Sequence, residues 1–168
     1  GWSFLDGRFD EYIDLLPAQQ QLTENWYQGT ADAVYQNLDL LRRHCPQYIL
    51  VLSGDHVYKM DYGRMLAEHA QSGADLSVAC IDVPLEEASG FGVMNINEEQ
   101  RIVSFAEKPS HPQPMPGRPD RALASMGVYV FNAEFLYEQL CRDSDNPFSS
   151  HDFGKDIIPH LLSEYHVH

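Results

Sequence analysis

YILVLSGDHVYKMDYGRMLAEHAQSGADLSVACIDV, residues 48–83, alternates two kinds of hydrophobic pattern. Tyr48-Ile49-Leu50-Val51-Leu52 is an uninterrupted apolar run, the pattern of a strand covered on both faces. Residues 61–71 then put Tyr62, Met65, Leu66 and His69 on one helical face, and Gly73 closes that helix. Residues 76–83 return to an apolar strand, stopped by Pro84. Strand, helix, strand predicts a right-handed crossover in a mainly parallel sheet, hence an α/β domain.

The flanks extend the alternation. Residues 31–45 read as a helix with Val34, Leu38, Leu41 and Cys45 on one face, Thr30 as its N-cap and Pro46 at its end. Residues 93–96 and 102–107 read as short strands around Asn97-Glu98-Glu99-Gln100, a hairpin. Residues 109–120 hold five prolines and little that packs, so they predict a surface loop. Residues 123–131 form another apolar strand. Asn132 then caps a helix with Ala133, Leu136, Tyr137, Leu140 and Cys141 inward, and Ile157, Ile158, Leu161, Leu162 and Tyr165 mark a last helix. Neither an internal repeat nor a second domain is visible.

With 168 residues the chain is long enough for one domain with a sizeable core. Apolar residues at 43% and charged residues at 21% rule out wholesale disorder. Twenty-five acidic residues against eleven Lys plus Arg give a formal charge of −14. That excess argues against a nucleic-acid partner, because affinity for phosphate backbones comes mainly from Lys and Arg. It leaves room for a small phosphorylated ligand, which needs only one or two cations or a metal. No apolar run approaches the ~20 residues of a membrane span, so a soluble chain with no membrane partner is expected. Cys45, Cys80 and Cys141 are scattered, with no CxxC pair, which fits thiols in a reducing compartment. The histidines include no HExxH. The chain starts Gly1-Trp2-Ser3-Phe4 and stops at His166-Val167-His168 where a strand can begin, and it reads as a piece of a longer protein.

Open α/β sheets bind ligands beyond the carboxyl ends of their strands, so the residues after each apolar run are the first candidates. In Leu52-Ser53-Gly54-Asp55-His56, Gly54 allows a sharp exit and Asp55 stands at the sheet edge. Asp55 can ligate Mg²⁺ there or bond local amides at the turn. Glu107-Lys108-Pro109 ends a strand in charge: Lys108 can anchor a phosphate and Glu107 can accept from sugar hydroxyls, or both are a solvated pair before a proline. Trp26-Tyr27-Gln28-Gly29-Thr30 precedes a helix start, where free amides attract anions; the alternative is an aromatic pair over a turn. Arg42 and Arg43 suit a helix C-terminus on a solvated face. Gly92 and Ser125 are uninformative alone, and 150–156 serves equally as a site or as the loop leading into a helix.

LLPAQQ at 15–20, ENWYQGTADAV at 24–34, LSGDHVYKMDY at 52–62, VPLEEASGFGVM at 83–94, FAEKP at 105–109, ASMGVYVF at 124–131 and SHDFGKDIIP at 150–159 occur together in this order. So arranged, the sequence resembles the bacterial glucose-1-phosphate adenylyltransferase (ADP-glucose pyrophosphorylase) family over nearly the whole chain. The resemblance implies a Rossmann-like nucleotide-diphospho-sugar transferase fold, with a mainly parallel or mixed sheet flanked by helices and truncated at both ends. It implies a cytoplasmic enzyme of glycogen biosynthesis that joins ATP and glucose 1-phosphate into ADP-glucose and pyrophosphate with Mg²⁺. It makes Asp55 the catalytic metal-binding carboxylate and Lys108 the holder of the glucose 1-phosphate phosphate. Tyr27, Gly92, Glu107 and Ser125 would surround the sugar, with Gln19, Gln20 and Gly29 near the adenine. Trp26 falls in a loop coupling regulatory and substrate sites, and Arg43 at a position associated with AMP inhibition, so AMP or sugar-phosphate effectors are expected.

The family's glycine-rich N-terminal loop would lie before Gly1, and its second metal-binding aspartate and β-helix domain beyond His168. Residues 1–168 are therefore expected to be a partial catalytic domain, inactive or nearly so alone. The intact protein is expected to be a homotetramer, and unpaired sheet edges favour self-association of this piece. Two further readings stand beside this one: a non-catalytic fragment for sugar-phosphate binding or assembly, and a related sugar nucleotidyltransferase using another nucleotide.

Overall fold

A computed structural model describes residues 26–54, 59–99, 101–165 and 167–168. The elements are α1 (Thr30–Tyr35), α2 (Leu38–Arg43), β1 (Tyr48–Leu52), α3 (Tyr62–Ser72), β2 (Leu76–Pro84), a 3₁₀ turn (Leu85–Gly90), β3 (Gly92–Ile96), β4 (Ile102–Glu107), β5 (Arg121–Asn132), α4 (Ala133–Ser144), a π-helical turn (Phe153–Ile157) and α5 (Ile158–Leu161). The alternation predicted from the apolar runs is thus present, and the α/β class with it.

The sheet is organised around β5. Residues 129–131 pair antiparallel with β1 on one side and with β2 on the other. Farther back, Ala124 and Leu123 pair with both β2 and β3, and β3 pairs antiparallel with β4. Among the described residues every extended ladder is antiparallel; the parallel pairing is an isolated bridge from Leu76 to Val167. The crossover through α3 still leaves β1 and β2 pointing the same way, because both run against β5. They are not neighbours: the long β5 returns between them. The strand buried on both faces is accordingly β5, not β1. Val128, Tyr129, Val130 and Phe131 are all buried although alternate residues face opposite sides. β1 pairs with β5 alone among the described residues and is only partly buried.

Phe131, Met94, Leu136, Leu140, Phe153, Ile158 and Leu161 make the main core, so α4, the π-turn and α5 cover one face of the sheet. α3 starts at Asp61, whose side chain accepts from the Arg64 amide at 3.1 Å, and ends at Gly73 with φ +65°. Its buried His69 bonds Ser77 Oγ at 2.7 Å and Asn132 Oδ1 at 3.1 Å, tying α3 to β2 and to the end of β5. Asn132 precedes α4 as expected, but its side chain serves His69 and the Ala74 carbonyl instead of capping the helix.

Two other expectations change. The single helix over 31–45 is two short ones, because Asn37 folds its amide back on the Ala33 carbonyl at 2.8 Å and starts α2. Cys45 is exposed and Thr30 caps nothing of its own; its hydroxyl reaches Asp152. The proline-rich 109–120 loop is pinned more firmly than its composition predicts. Asp82 holds Arg118 at 2.7 Å and Arg121 at 3.2 Å, and these partners keep its carboxyl below the usual range. Among the described residues no helix is long and apolar enough to cross a membrane.

Candidate active site

Register brings three of the sequence candidates together. Gly92 opens β3 directly opposite Glu107, the last residue of β4. Val93 pairs with Ala124, so one step along the ladder Gly92 lies beside Ser125. Gly92 is required by contact and not by φ. A Cβ there would sit 2.6 Å from Phe105 Cζ and 2.9 Å from Glu107 Oε2. On its other flank the same carboxylate faces Gly154 of the π-turn, where a Cβ would be 3.1 Å from Oε2. Glu107 is thus held between two backbones that lack side chains, and it remains 28% exposed with room for a hydroxyl donor.

Lys108 leaves the strand in the left-handed region at φ +45°, with its amide on the Phe91 carbonyl at 3.0 Å. Its ammonium lies 4.0 Å from Glu107 Oε1 and is 67% exposed, a loose pair that leaves the cation open to an anion. The combination is one acceptor and one cation on adjacent residues at a strand end.

β5 bulges at this point. β2 advances from Val78 to Cys80 while the partner positions on β5 run from Tyr129 back to Ser125. The extra residues include Gly127 at φ +67°, which a side chain would strain and which packs on Ser53. Ser53 donates its amide to the Gly127 carbonyl at 2.9 Å, so the exit of β1 reaches the same bulge. Ser125 Oγ accepts from the Gly127 amide at 3.2 Å. Burial pushes the Tyr129 phenol up, with the Glu107 and Asp152 carboxylates adding to the rise and Ser125 opposing it. Tyr129 therefore presents a neutral hydroxyl near Ser125 and Glu107.

The 150–156 segment, undecided from sequence, forms the remaining wall. Asp152 Oδ1 accepts from the Gly154 and Lys155 amides at 2.9 and 3.0 Å, and Oδ2 accepts from Thr30 Oγ1 at 3.0 Å. Asp156 accepts from Ser150 Oγ at 2.6 Å. Burial pushes Asp156 up, but this bond and others from Asp152, Ser150 and Ser149 outweigh it and hold the carboxyl low. Sequence reasoning missed Tyr129, Asp152 and Gly154 as neighbours of Glu107. The quoted SHDFGKD run was the signal available for the last two.

The other candidates stand differently. The α1 amides expected to attract an anion are committed: Ala31 and Asp32 donate to the His151 carbonyl at 2.8 and 3.3 Å. Gly29 has extended backbone, and a Cβ there would collide with the carbonyl oxygens of His151 and Ser150. It serves close packing against the 150–151 loop. Tyr27 accepts from Asn37 Nδ2 at 3.1 Å, at the α1–α2 joint. Trp26 is 74% exposed. Arg43 is exposed in the last turn of α2, while Arg42 stacks on the Tyr137 ring at 5.1 Å. Gly54 has no contact that excludes a side chain. Asp55, Gln19 and Gln20 lie outside the described residues. Among the described residues no group of three or more His, Cys, Asp or Glu converges as a metal site. Both oxygens of Asp152 are spent on protein donors, which makes it a structural cap.

The chain is 64% identical over 167 residues to a protein named glucose-1-phosphate adenylyltransferase from Nitrosospira multiformis, covering 99% of this chain and 39% of that protein. Proteins of the same name from Nitrosomonas europaea and Dechloromonas aromatica are 66% and 65% identical, over 97% and 99% of the chain and 38% of each relative. The chain thus spans about two fifths of the length of the curated relatives it matches. The nucleotidyl transferase family profile matches residues 5–168. With the profile covering the α/β sheet almost end to end, the chain belongs to the nucleotidyl transferase family.

Proposed function

We propose that the chain is the sugar-phosphate-binding part of a glucose-1-phosphate adenylyltransferase catalytic domain, acting on ATP and glucose 1-phosphate to give ADP-glucose and pyrophosphate. The observation that carries this is the seating of Glu107 against Gly92 and Gly154 from two separate elements, with Lys108 next to it. The relatives' shared name supports the choice of substrates.

In the proposed reaction a phosphate oxygen of glucose 1-phosphate forms a bond to the α-phosphorus of ATP, and the bond to the β-phosphate oxygen breaks to release pyrophosphate. Anions must be brought together, so charge neutralisation and in-line positioning do most of the catalytic work. Lys108 neutralises and orients the sugar phosphate. Glu107 accepts from the sugar hydroxyls, and the neutral Ser125 and Tyr129 hydroxyls add directional bonds. Gly92 and Gly154 leave room for the Glu107 carboxylate and so set its position toward the sugar. Mg²⁺ takes one or two carboxylates plus phosphates and waters, and Asp55 is the residue that would hold it. That ion, when bound, neutralises charge on the triphosphate and the departing pyrophosphate. Trp26 and Arg43, both exposed, are proposed as effector-responsive positions, and cytoplasmic location and tetramer assembly of the whole protein belong to the same proposal.

Calorimetric titration of the chain with glucose 1-phosphate and Mg²⁺ tests the reading. Saturable binding is expected, and Lys108→Ala should weaken it by about 1.5–3 kcal/mol, the range for hydrogen bonds to charged groups. Equal affinity in the two proteins would remove Lys108 from the site. Turnover belongs to the full-length protein, and nucleotide choice is read there by comparing ATP with UTP, dTTP and GTP.

A further inference from the structure

We infer that His151 is a positioning residue: its pairing with Asp143 locks a left-handed peptide that joins α1 to the Glu107 wall of the site. His151 has φ +55°, a left-handed region that few non-glycine residues occupy, His, Asn and Asp more often than the rest. His151 Nδ1 lies 2.8 Å from Asp143 Oδ2, with the side chains 12% and 11% exposed. An ionised carboxylate only accepts, so the proton sits on Nδ1. Ser149 Oγ donates to the other Asp143 oxygen at 2.7 Å and accepts the His151 amide at 2.9 Å. Asp143, which holds both, lies in the last turn of α4, and that helix is anchored in the core through Leu136 and Leu140.

The locked peptide then acts in two directions. Its carbonyl takes the Ala31 and Asp32 amides and seats the Gly29 backbone. Immediately after it, Asp152 gathers the Gly154 and Lys155 amides and Thr30 Oγ1, and Thr30 Oγ1 accepts from the Phe153 amide at 3.1 Å. Gly154 is the residue that faces Glu107. Two parts of the chain about 120 positions apart, Gly29–Asp32 and Asp152–Lys155, are therefore fixed to each other and to the sugar-phosphate wall through one backbone conformation. His151 touches no candidate ligand group itself. This rests on the sugar-phosphate reading above only for what the wall binds.

The test uses the chain with His151→Ala, His151→Asn and, as a stability control on β4, Ile102→Val. Asn tolerates left-handed backbone, and its Nδ2 occupies the place of the imidazole Nδ1, so it can still donate to Asp143. Hydrogen exchange at the Ala31, Asp32, Gly154 and Lys155 amides is the direct readout, with glucose 1-phosphate titration beside it. His151→Ala should speed exchange at all four amides at least about tenfold and weaken glucose 1-phosphate about tenfold, about 1.4 kcal/mol. His151→Asn should restore both, and Ile102→Val should move neither. Unchanged exchange in His151→Ala overturns the inference, as does a His151→Asn variant as impaired as the alanine. If the unsubstituted chain takes no glucose 1-phosphate, the proposed function fails and the exchange result alone upholds or overturns the joint.

Discussion

Replacing Gly92 by alanine probes the site and the fold at once. A Cβ at that position would stand 2.6 Å from Phe105 Cζ, 2.9 Å from Phe105 Cε2 and 2.9 Å from Glu107 Oε2. Real Cβ atoms do not approach so closely, so the Phe105 ring and the Glu107 carboxylate both have to move. Overpacking of this kind costs about 1–3 kcal/mol. Alanine also narrows the unfolded ensemble, which returns about 0.4–1 kcal/mol. The net loss is about 1–2 kcal/mol, or a melting point lower by about 2–8 °C for a chain of this size. Glucose 1-phosphate affinity should fall as well, because Glu107 is pushed from its seat. Gly154→Ala separates the two effects: its Cβ meets mainly the movable carboxylate, 3.1 Å away, so affinity should drop with less loss of stability. Gly90→Ala meets nothing within 4 Å and should be neutral or slightly stabilising. Urea or thermal unfolding with parallel calorimetric titration measures all three. A Gly92→Ala protein as stable and as competent as Gly90→Ala would refute the steric reasoning.

Thiol reactivity should split by environment: Cys45 is exposed, whereas burial pushes the Cys80 thiol up to about 12. An aromatic disulfide reagent at pH 8 should modify Cys45 quickly and the partly buried Cys80 more slowly, and equal rates would contradict the partial burial of Cys80. Burial also pushes the His69 imidazole below its ordinary value. Its folded pKa is depressed, so the unfolded chain binds the proton more readily and the neutral-form stability is present above about pH 6.5, then lost as pH falls toward the folded value. The melting point should decline with pH over that interval, and His69→Gln should flatten that part of the profile; an unchanged slope would remove His69 as its source.

Local pattern was enough for most elements here. Continuous apolar runs located β1, β2 and β5, the 3.6-residue spacing of Leu136, Tyr137 and Leu140 located α4, and Gly73 marked the end of α3. The pair Glu107–Lys108 was visible as a strand ending in charge before a proline, a local signal that suits a solvated pair as well as a phosphate anchor. Gly92 and Ser125 gave no local signal. Their importance comes from cross-strand register, and a glycine that admits Phe105 and a carboxylate looks like any other glycine in one dimension. Gly29 is similar: a glycine before a helix start reads locally as a turn or a place of close approach, and the partner it admits, the backbone of residues more than a hundred positions away, is visible only in the fold.

What the amino-acid order determined by itself was the kind and sequence of elements, the α/β class, and the run of motifs that places the chain among nucleotidyl transferases. These depend on periodicity and turn chemistry within about a dozen residues, where backbone sterics and burial act directly. Which strands lie side by side was decided only in three dimensions. A crossover constrains direction but not adjacency, so β5 could insert between β1 and β2 and turn the expected parallel neighbours into two antiparallel partners of one central strand. The same long-range pairing set Gly92 against Glu107 and brought the His151 loop onto α1, because contacts between distant segments are chosen by the shape and burial of the whole core.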